Sequence, residues 1–355
     1  MALSSLSKLC LLVTFMLLLL SFITTIYARE LLDVGYSPQD LESTDGLNNL
    51  FESWIEKHGK TYNSVEEKLH RFEIFKDNLK HIDERNKNIN DYWLGLNGLS
   101  DLSHEEFKNT RLGLTIDQSM IMSKYESTDQ EFMYKDVKEL PESVDWRNNG
   151  SVTQVKRQGK CGACWAFSAV AAVEGINQIK RGELISLSEQ DLIDCDISNN
   201  HGCYGGDMVY AFAYINETNG ISTENEYPYT EERGICKRNK AAGSKLVNIN
   251  GFEYVPENDD ESFLKALAHQ PVSVGIDGYD RDFQLYKGGV FNGSCGTTLD
   301  HAVTAIGYEK DYIIMKNSWG ADWGENGYMR MLRKIGSPEG LCGIYKFASY
   351  PIIIS

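Results

Sequence analysis

Cys164 stands in the run Cys161-Gly162-Ala163-Cys164-Trp165, at the start of a stretch with helical periodicity. A helix N-terminus presents unsatisfied N–H groups and a partial positive charge, which favour thiolate over thiol. A thiolate attacks carbonyl carbon, and the leaving amine then needs a proton. Histidine is the side chain that changes charge readily near neutral pH, and His301 opens a strand-like run far downstream. Asn317 ends the next such run; an amide beside the imidazole can accept from its ring N–H and hold one tautomer. Gln158, just upstream of Cys161, offers an amide donor to a developing oxyanion, and Trp319 is placed to cover the Asn–His hydrogen bond from water. The chemistry these types would perform is acyl transfer to sulfur.

Two other readings of the same residues stand beside this one. Cys161 and Cys164 form a Cys-x-x-Cys pair, which serves redox couples and half zinc sites. A redox motif is expected near a βαβ pattern, and none precedes it. Zinc needs a second close pair, and Cys195, His201 and Cys203 form only a loose cluster. No metal or cofactor is expected. The remaining histidines (His58, His70, His81, His104, His201 and His269) have no comparable setting and read as surface or packing residues.

The elements that must position these groups fall into zones. Residues 1–28 carry one cation, Lys8, an apolar run from Leu9 to Phe22 and the small Ala28, the layout of a cleaved secretory signal. An uncleaved anchor is the rival, since the run is nearly long enough to span a bilayer. Residues 29–111 contain no cysteine and are strongly helical in pattern: Leu47, Leu50, Phe51, Trp54 and Ile55 repeat on one face, and a second helix is expected over about Val65 to Asn88. Residues 112–139 lack strong periodicity and read as an extended or exposed connector.

From Leu140 the composition changes. Seven of the eight cysteines follow that point, leaving six to pair and one over. A helix is expected over Cys164–Lys180, stopped at Gly182, and a capping box at Ser188-Glu189-Gln190-Asp191 starts another. His301–Tyr308, Asp311–Trp319 and Gly327–Arg333 then read as strands. The fold class is α+β, helices first and sheet second, with a cleft between two lobes.

The whole chain has 355 residues, 42% of them apolar, and a net charge of −16. That excess of carboxylates repels nucleic acid and anionic membrane surfaces. Export permits disulfides and gives meaning to Asn-x-Ser/Thr at Asn149, Asn216 and Asn292 as glycan acceptors.

With these residues in view, the chain resembles the papain family of cysteine proteases along nearly its whole length. LPESVDWR (Leu140–Arg147), QGKCGACWAFSAV, SLSEQDLIDC, GCYGG, DHAV and KNSWGADWGENGYMR occur in the family's order. The resemblance implies a papain-like two-lobe fold and a thiol endopeptidase with Cys164 as nucleophile, His301 its partner, Asn317 the orienter and Gln158 the oxyanion donor. It implies disulfides Cys161–Cys203, Cys195–Cys236 and Cys295–Cys342. The front zone fits the pattern of cathepsin L-like propeptides through Glu67, Arg71, Phe75, Asn78, Ile82 and Asn86, which share a helical face. A second propeptide motif reads Gly95, Asn97, Leu99 and Asp101, with Leu99 where Phe is usual. The implied layout is a signal over 1–28, an inhibitory propeptide over 29–139 and a peptidase over 140–355.

The resemblance also places a substrate cleft at Gly206, Asp207, Met208, Gly275, Leu299, Asp300 and Phe347. Met208, Gly275, Leu299 and Phe347 would surround the pocket for the residue before the cleaved one, with Asp207 at its rim and turned to solvent. Partners implied are protein and peptide substrates, the chain's own propeptide and cystatin-type inhibitors. A monomer without stable membrane association is expected, in the secretory pathway, vacuole or lysosome-like compartment, or outside the cell. The alternative is a catalytically silent homologue that binds or stores.

Overall fold

The computed structural model describes residue 16 and residues 34–116, 132–238 and 245–354. The expected signal, with Cys10, lies outside the described residues except for Met16. No helix among the described residues is long and apolar enough to cross a membrane.

The front segment forms two crossing helices, Thr44–His58 and Val65–Asn86. Ser43 and Ser64 cap them by accepting from Gly46 and Glu67 backbone N–H groups, and Gly59 ends the first in a left-handed conformation. Phe51, Trp54, Phe72 and Phe75 pack at the crossing, with Phe51 and Phe75 ring centroids 5.1 Å apart. The six patterned residues of the second helix divide the work along one face. Phe75 and Ile82 are fully buried. Asn78 Nδ2 donates to the carbonyls of Ser100 and Leu102 at 2.9 and 3.0 Å. Asn86 exchanges two hydrogen bonds with Leu94, Arg71 donates to Asp101 O and Glu106, and Glu67 accepts from Asn63 N–H. Leu99 is 2% exposed, so the smaller side chain still fills its site in the core.

Tyr92–Leu94 then pairs antiparallel with Tyr286–Phe291, so the front segment supplies the edge strand of the downstream sheet. From that edge the sheet continues through Tyr328–Leu332, Tyr312–Lys316, His301–Tyr308, Val272–Ile276, Ala348–Ile352 and Gly251–Tyr254. His301–Tyr308 is buried at every position, which its near-continuous apolar run requires. The other lobe is built on the helix Cys164–Arg181, ended at Gly182 with φ +75°, together with Glu189–Cys195 and Met208–Glu217. The two lobes hold separate apolar cores, and the front helices share that of the sheet lobe.

One expectation needs correction here and another needs refining. The capping box at Ser188 is only half made: its hydroxyl accepts from Asp191 N–H at 2.9 Å, but Asp191 turns away to accept from Ser222 N–H. Asp is one methylene short of the Glu that would reach back. Residues 112–139 are extended at 112–116, as expected, and largely exposed over 133–139, but their described ends also carry anchored side chains. Leu112 and Leu114 are buried, and Phe132 and Tyr134 lie against Tyr350, with Tyr134 Oη donating to Gln270. Single residues seated in pockets leave no periodic signature.

Candidate active site

Cys164 is the first residue of its helix, follows a residue that supplies no side-chain cap, and is the one free cysteine among the described residues. Disulfides Cys161–Cys203, Cys195–Cys236 and Cys295–Cys342 hold the other six. The first ties the loop before Cys164 to the Gly202–Tyr204 turn, and it is the pairing that the resemblance implies. With both members of Cys161–Cys164 thus separated, the redox-couple reading falls.

Across the cleft, strand His301–Tyr308 starts at His301, and strand Tyr312–Lys316 delivers Asn317 immediately after its end. His301 Nε2 and Asn317 Oδ1 are 2.9 Å apart. Ser318 N–H also donates to that oxygen, at 2.8 Å. A backbone N–H can only donate, so Oδ1 is an acceptor and His301 Nε2 carries the proton. In the neutral ring Nδ1 is then the basic nitrogen, and it has no other partner among the described residues. Trp319 stacks on the imidazole, centroids 4.6 Å apart, and is 2% exposed. Gln158 is fully buried; Ser318 Oγ donates to its Oε1 at 2.6 Å, which turns Nε2 into the cleft.

The cleft is filled by the chain itself. After helix His104–Arg111 the backbone crosses Cys164. Gln158 Nε2 donates to Arg111 O at 3.0 Å. Gly113 N–H and Leu114 N–H donate to Asp300 O, Gly206 N–H donates to Gly113 O, and Thr115 N–H donates to Gly206 O, all within 2.9–3.0 Å. A Cβ at Gly113 would collide with the Gly162 carbonyl, so only glycine passes there. Leu114 enters the pocket beside Gly275: a Cβ at 275 would meet its Cδ2 at 2.8 Å, Leu299 Cδ1 at 3.3 Å and Phe347 Cδ1 at 3.5 Å. Met208 is fully buried in the same cluster. Asp207 is not turned to solvent as expected; it is 5% exposed, and its carboxylate accepts from Val209 N–H at 2.8 Å as the cap of the next helix. A helix start with orphan N–H groups holds that side chain in.

Closure sets the electrostatics. Burial pushes the Cys164 thiol up to about 12, against backbone N–H groups of Ala302, Trp165 and Gly113 that pull it down. Burial likewise lowers His301 to about 4, opposed by the Asn317 hydrogen bond. In the closed chain the pair is therefore thiol and neutral imidazole. Asp300, on the far side of the site, is raised to about 6 by burial.

Sequence reasoning passed over two histidines that hold the segment down. His58 Nδ1 meets Asp322 Oδ2 at 2.9 Å. His81 Nε2 meets Asp282 Oδ1 at 2.7 Å, where Arg85 and Tyr92 also donate. Their positions on the helix faces carried a signal, but their partners lie about two hundred residues away or more. The glycan-acceptor candidates Asn149, Asn216 and Asn292 are all exposed, and Asn292 Nδ2 donates to Asp91 at 2.6 Å.

A buried helix-terminal cysteine, an Asn-held histidine and an extended segment lying through the cleft define the precursor of a thiol protease. Residues 140–352 match the model of the papain family cysteine proteases, and residues 51–107 match that of the cathepsin propeptide inhibitor domain. The chain belongs to the papain family of cysteine proteases and carries a propeptide inhibitor domain. It is 58% identical over 322 residues to the cysteine protease XCP2 of Arabidopsis thaliana, covering 90% of each chain. With chymopapain of Carica papaya it shares 48% identity over 352 residues, 98% of this chain and 97% of the other. The crystal structure of the ragweed pollen allergen Amb a 11, a cysteine protease in its proform, superposes with TM-score 0.81 at 38% identity, covering 91% of this chain and 99% of that one.

Proposed function

We propose that the matured chain cleaves peptide bonds within protein substrates by attack of Cys164 on the scissile carbonyl, with His301 moving the proton to the leaving amine. Asn317 holds the imidazole in the Nδ1-basic tautomer, and Gln158 donates to the oxyanion. The observation that carries this reading is the Asn317–His301 hydrogen bond at 2.9 Å, with the ring's other nitrogen left without a partner. Water then hydrolyses the thioester, with His301 taking the proton from water and returning it to the departing Cys164 thiolate.

In the same reading residues 29–139 are the inhibitory propeptide, removed near Leu140 after the signal over 1–28, and residues 140–355 are the enzyme. Leu114 occupies the pocket of the residue before the cleaved one, formed by Met208, Gly275, Leu299 and Phe347, with Gly206 and Asp300 binding backbone. An apolar lining supports Leu and Val there and gives a buried guanidinium no partner. Leu114 lies later in the chain than the residues over Cys164, the reverse of a substrate's order, so the bound segment is presented for occupancy and not for cleavage. The matured enzyme acts as a monomer, and an extended-loop inhibitor of the cystatin type fits a cleft that accepts an extended segment. Three disulfides suit passage through the secretory pathway to a vacuolar, lysosome-like or extracellular destination.

Cleavage profiling of a peptide library by the matured chain tests this. Leu and Val before the cleaved residue, with Arg poor and Cys164→Ser inert, is the expected outcome; a preference for Arg contradicts the pocket, and activity in Cys164→Ser contradicts the mechanism.

A further inference from the structure

Arg111 is only 9% exposed. Its guanidinium donates to the carbonyl of Gly159 and lies in the field of Glu231, the strongest opposing charge on it. Burial lowers Arg111 to about 10, and Glu231, then Asp101, pull it back, while Arg157 adds repulsion. The Glu231 carboxylate lies over Gly159 so closely that a Cβ at 159 would collide with it. Glu231 itself has φ +62°, an unusual backbone for a residue with a side chain, and such conformations cluster at binding sites. Tyr229 Oη donates to Gln158 O at 2.6 Å, which fastens this loop to the loop bearing Gln158.

The place of this cation along the cleft gives it meaning. Leu114 fills the apolar pocket on one side of Cys164, and Gly113 passes the nucleophile. Leu112 lies against Gly278 beside His301, and Arg111 is the next residue beyond. Arg111 therefore sits across the nucleophile from the pocket for the residue before the cleaved one, on the side that holds the leaving amine. We propose that Glu231, with the Gly159 carbonyl, forms a cation subsite on the leaving-group side, which takes an arginine or lysine within two residues beyond the scissile bond. In the precursor Arg111 occupies it; in the matured enzyme a substrate side chain does. The inference rests on the endopeptidase reading above and adds a selection that the apolar pocket cannot make.

The test uses the matured enzyme and internally quenched peptides with Leu in the apolar pocket and Arg, Ala or Glu at each of the two positions after the cleaved bond. Arg is expected to exceed Ala by about three- to fivefold in kcat/KM, the scale of a partly solvated ion pair. That advantage should shrink at roughly 0.5 M salt, where such pairs are screened. Glu231→Gly keeps the left-handed backbone unstrained and should remove the advantage, and Glu231→Lys should turn it toward Glu-containing peptides, which a structural role for Glu231 would not do. Equal rates for Arg and Glu peptides with the unaltered enzyme, or an Arg preference surviving both variants, overturns the subsite while leaving the endopeptidase reading intact. Failure to cleave any of the peptides overturns both.

Discussion

The imidazole of His301 is held by one hydrogen bond to Asn317 and one stacked indole, Trp319. Asn317→Ala removes the bond that selects the tautomer but leaves the stacked ring and Cys164. We expect kcat to fall by less than the ~10²–10⁴-fold that positioned general acid–base groups contribute, with KM nearly unchanged. Cys164→Ser should abolish turnover with the fold intact, since an alcohol does not ionise under these influences. Phe347 is 3% exposed and lies beside Gly275 and Leu114, so Phe347→Ala should deepen that pocket and raise the relative kcat/KM of substrates with Phe before the cleaved residue. An unchanged Phe-to-Leu ratio would place the pocket floor elsewhere.

Among elements, the segment 111–116 matters most and was least visible in the sequence. The helices were legible because each buries a periodic face and starts at a serine cap, as Thr44–His58 and Val65–Asn86 do. Cys164, His301, Asn317 and Gln158 were legible by residue type and motif. Gly113, Leu114 and Arg111 were not, because each is defined by a partner in the distant sequence: Gly162 O, Gly275 and Gly159 O. Asp207 was misjudged for a related reason; its rim position was visible, but its capping bond to Val209 was not. The geometry predicts that Gly113→Ala cannot seat over Gly162, and that Leu114→Ala loses a burial of roughly 2–5 kcal/mol. Added in trans to the matured enzyme, the front segment with either change should inhibit at least tenfold more weakly. Inhibition undiminished by both changes would show that the helices, not the cleft-crossing strand, block the site.

For the molecule as a whole, both zones carry more carboxylates than cations, so net charge does not join them. Local pairs of opposite sign do. Burial alone would raise Asp282, but hydrogen bonds from His81, Arg85 and Tyr92 hold it well below the usual carboxylate range. Burial would raise Asp322 too, yet His58 and Arg157 hold it near about 2. A carboxyl depressed by closure supports the closed form above its ordinary pKa of 3.8 and loses that contribution as pH falls from there toward about 2. Acid opening through these two pairs thus belongs below pH ~4. Asp282→Asn with Asp322→Asn should let the precursor mature at higher pH, seen as loss of the full-length band across a pH series; an unshifted series would assign acid opening to other groups.

The central claim is that Cys164 is an activated nucleophile kept silent by the segment lying over it. An epoxide-type thiol-protease inhibitor, followed by mass spectrometry of intact and digested protein, reads both halves at once. The account predicts no adduct on the uncleaved precursor near neutral pH and one adduct per matured chain, located on Cys164. Labelling of the uncleaved precursor at the same rate, or a matured chain that takes no label at Cys164, would contradict it.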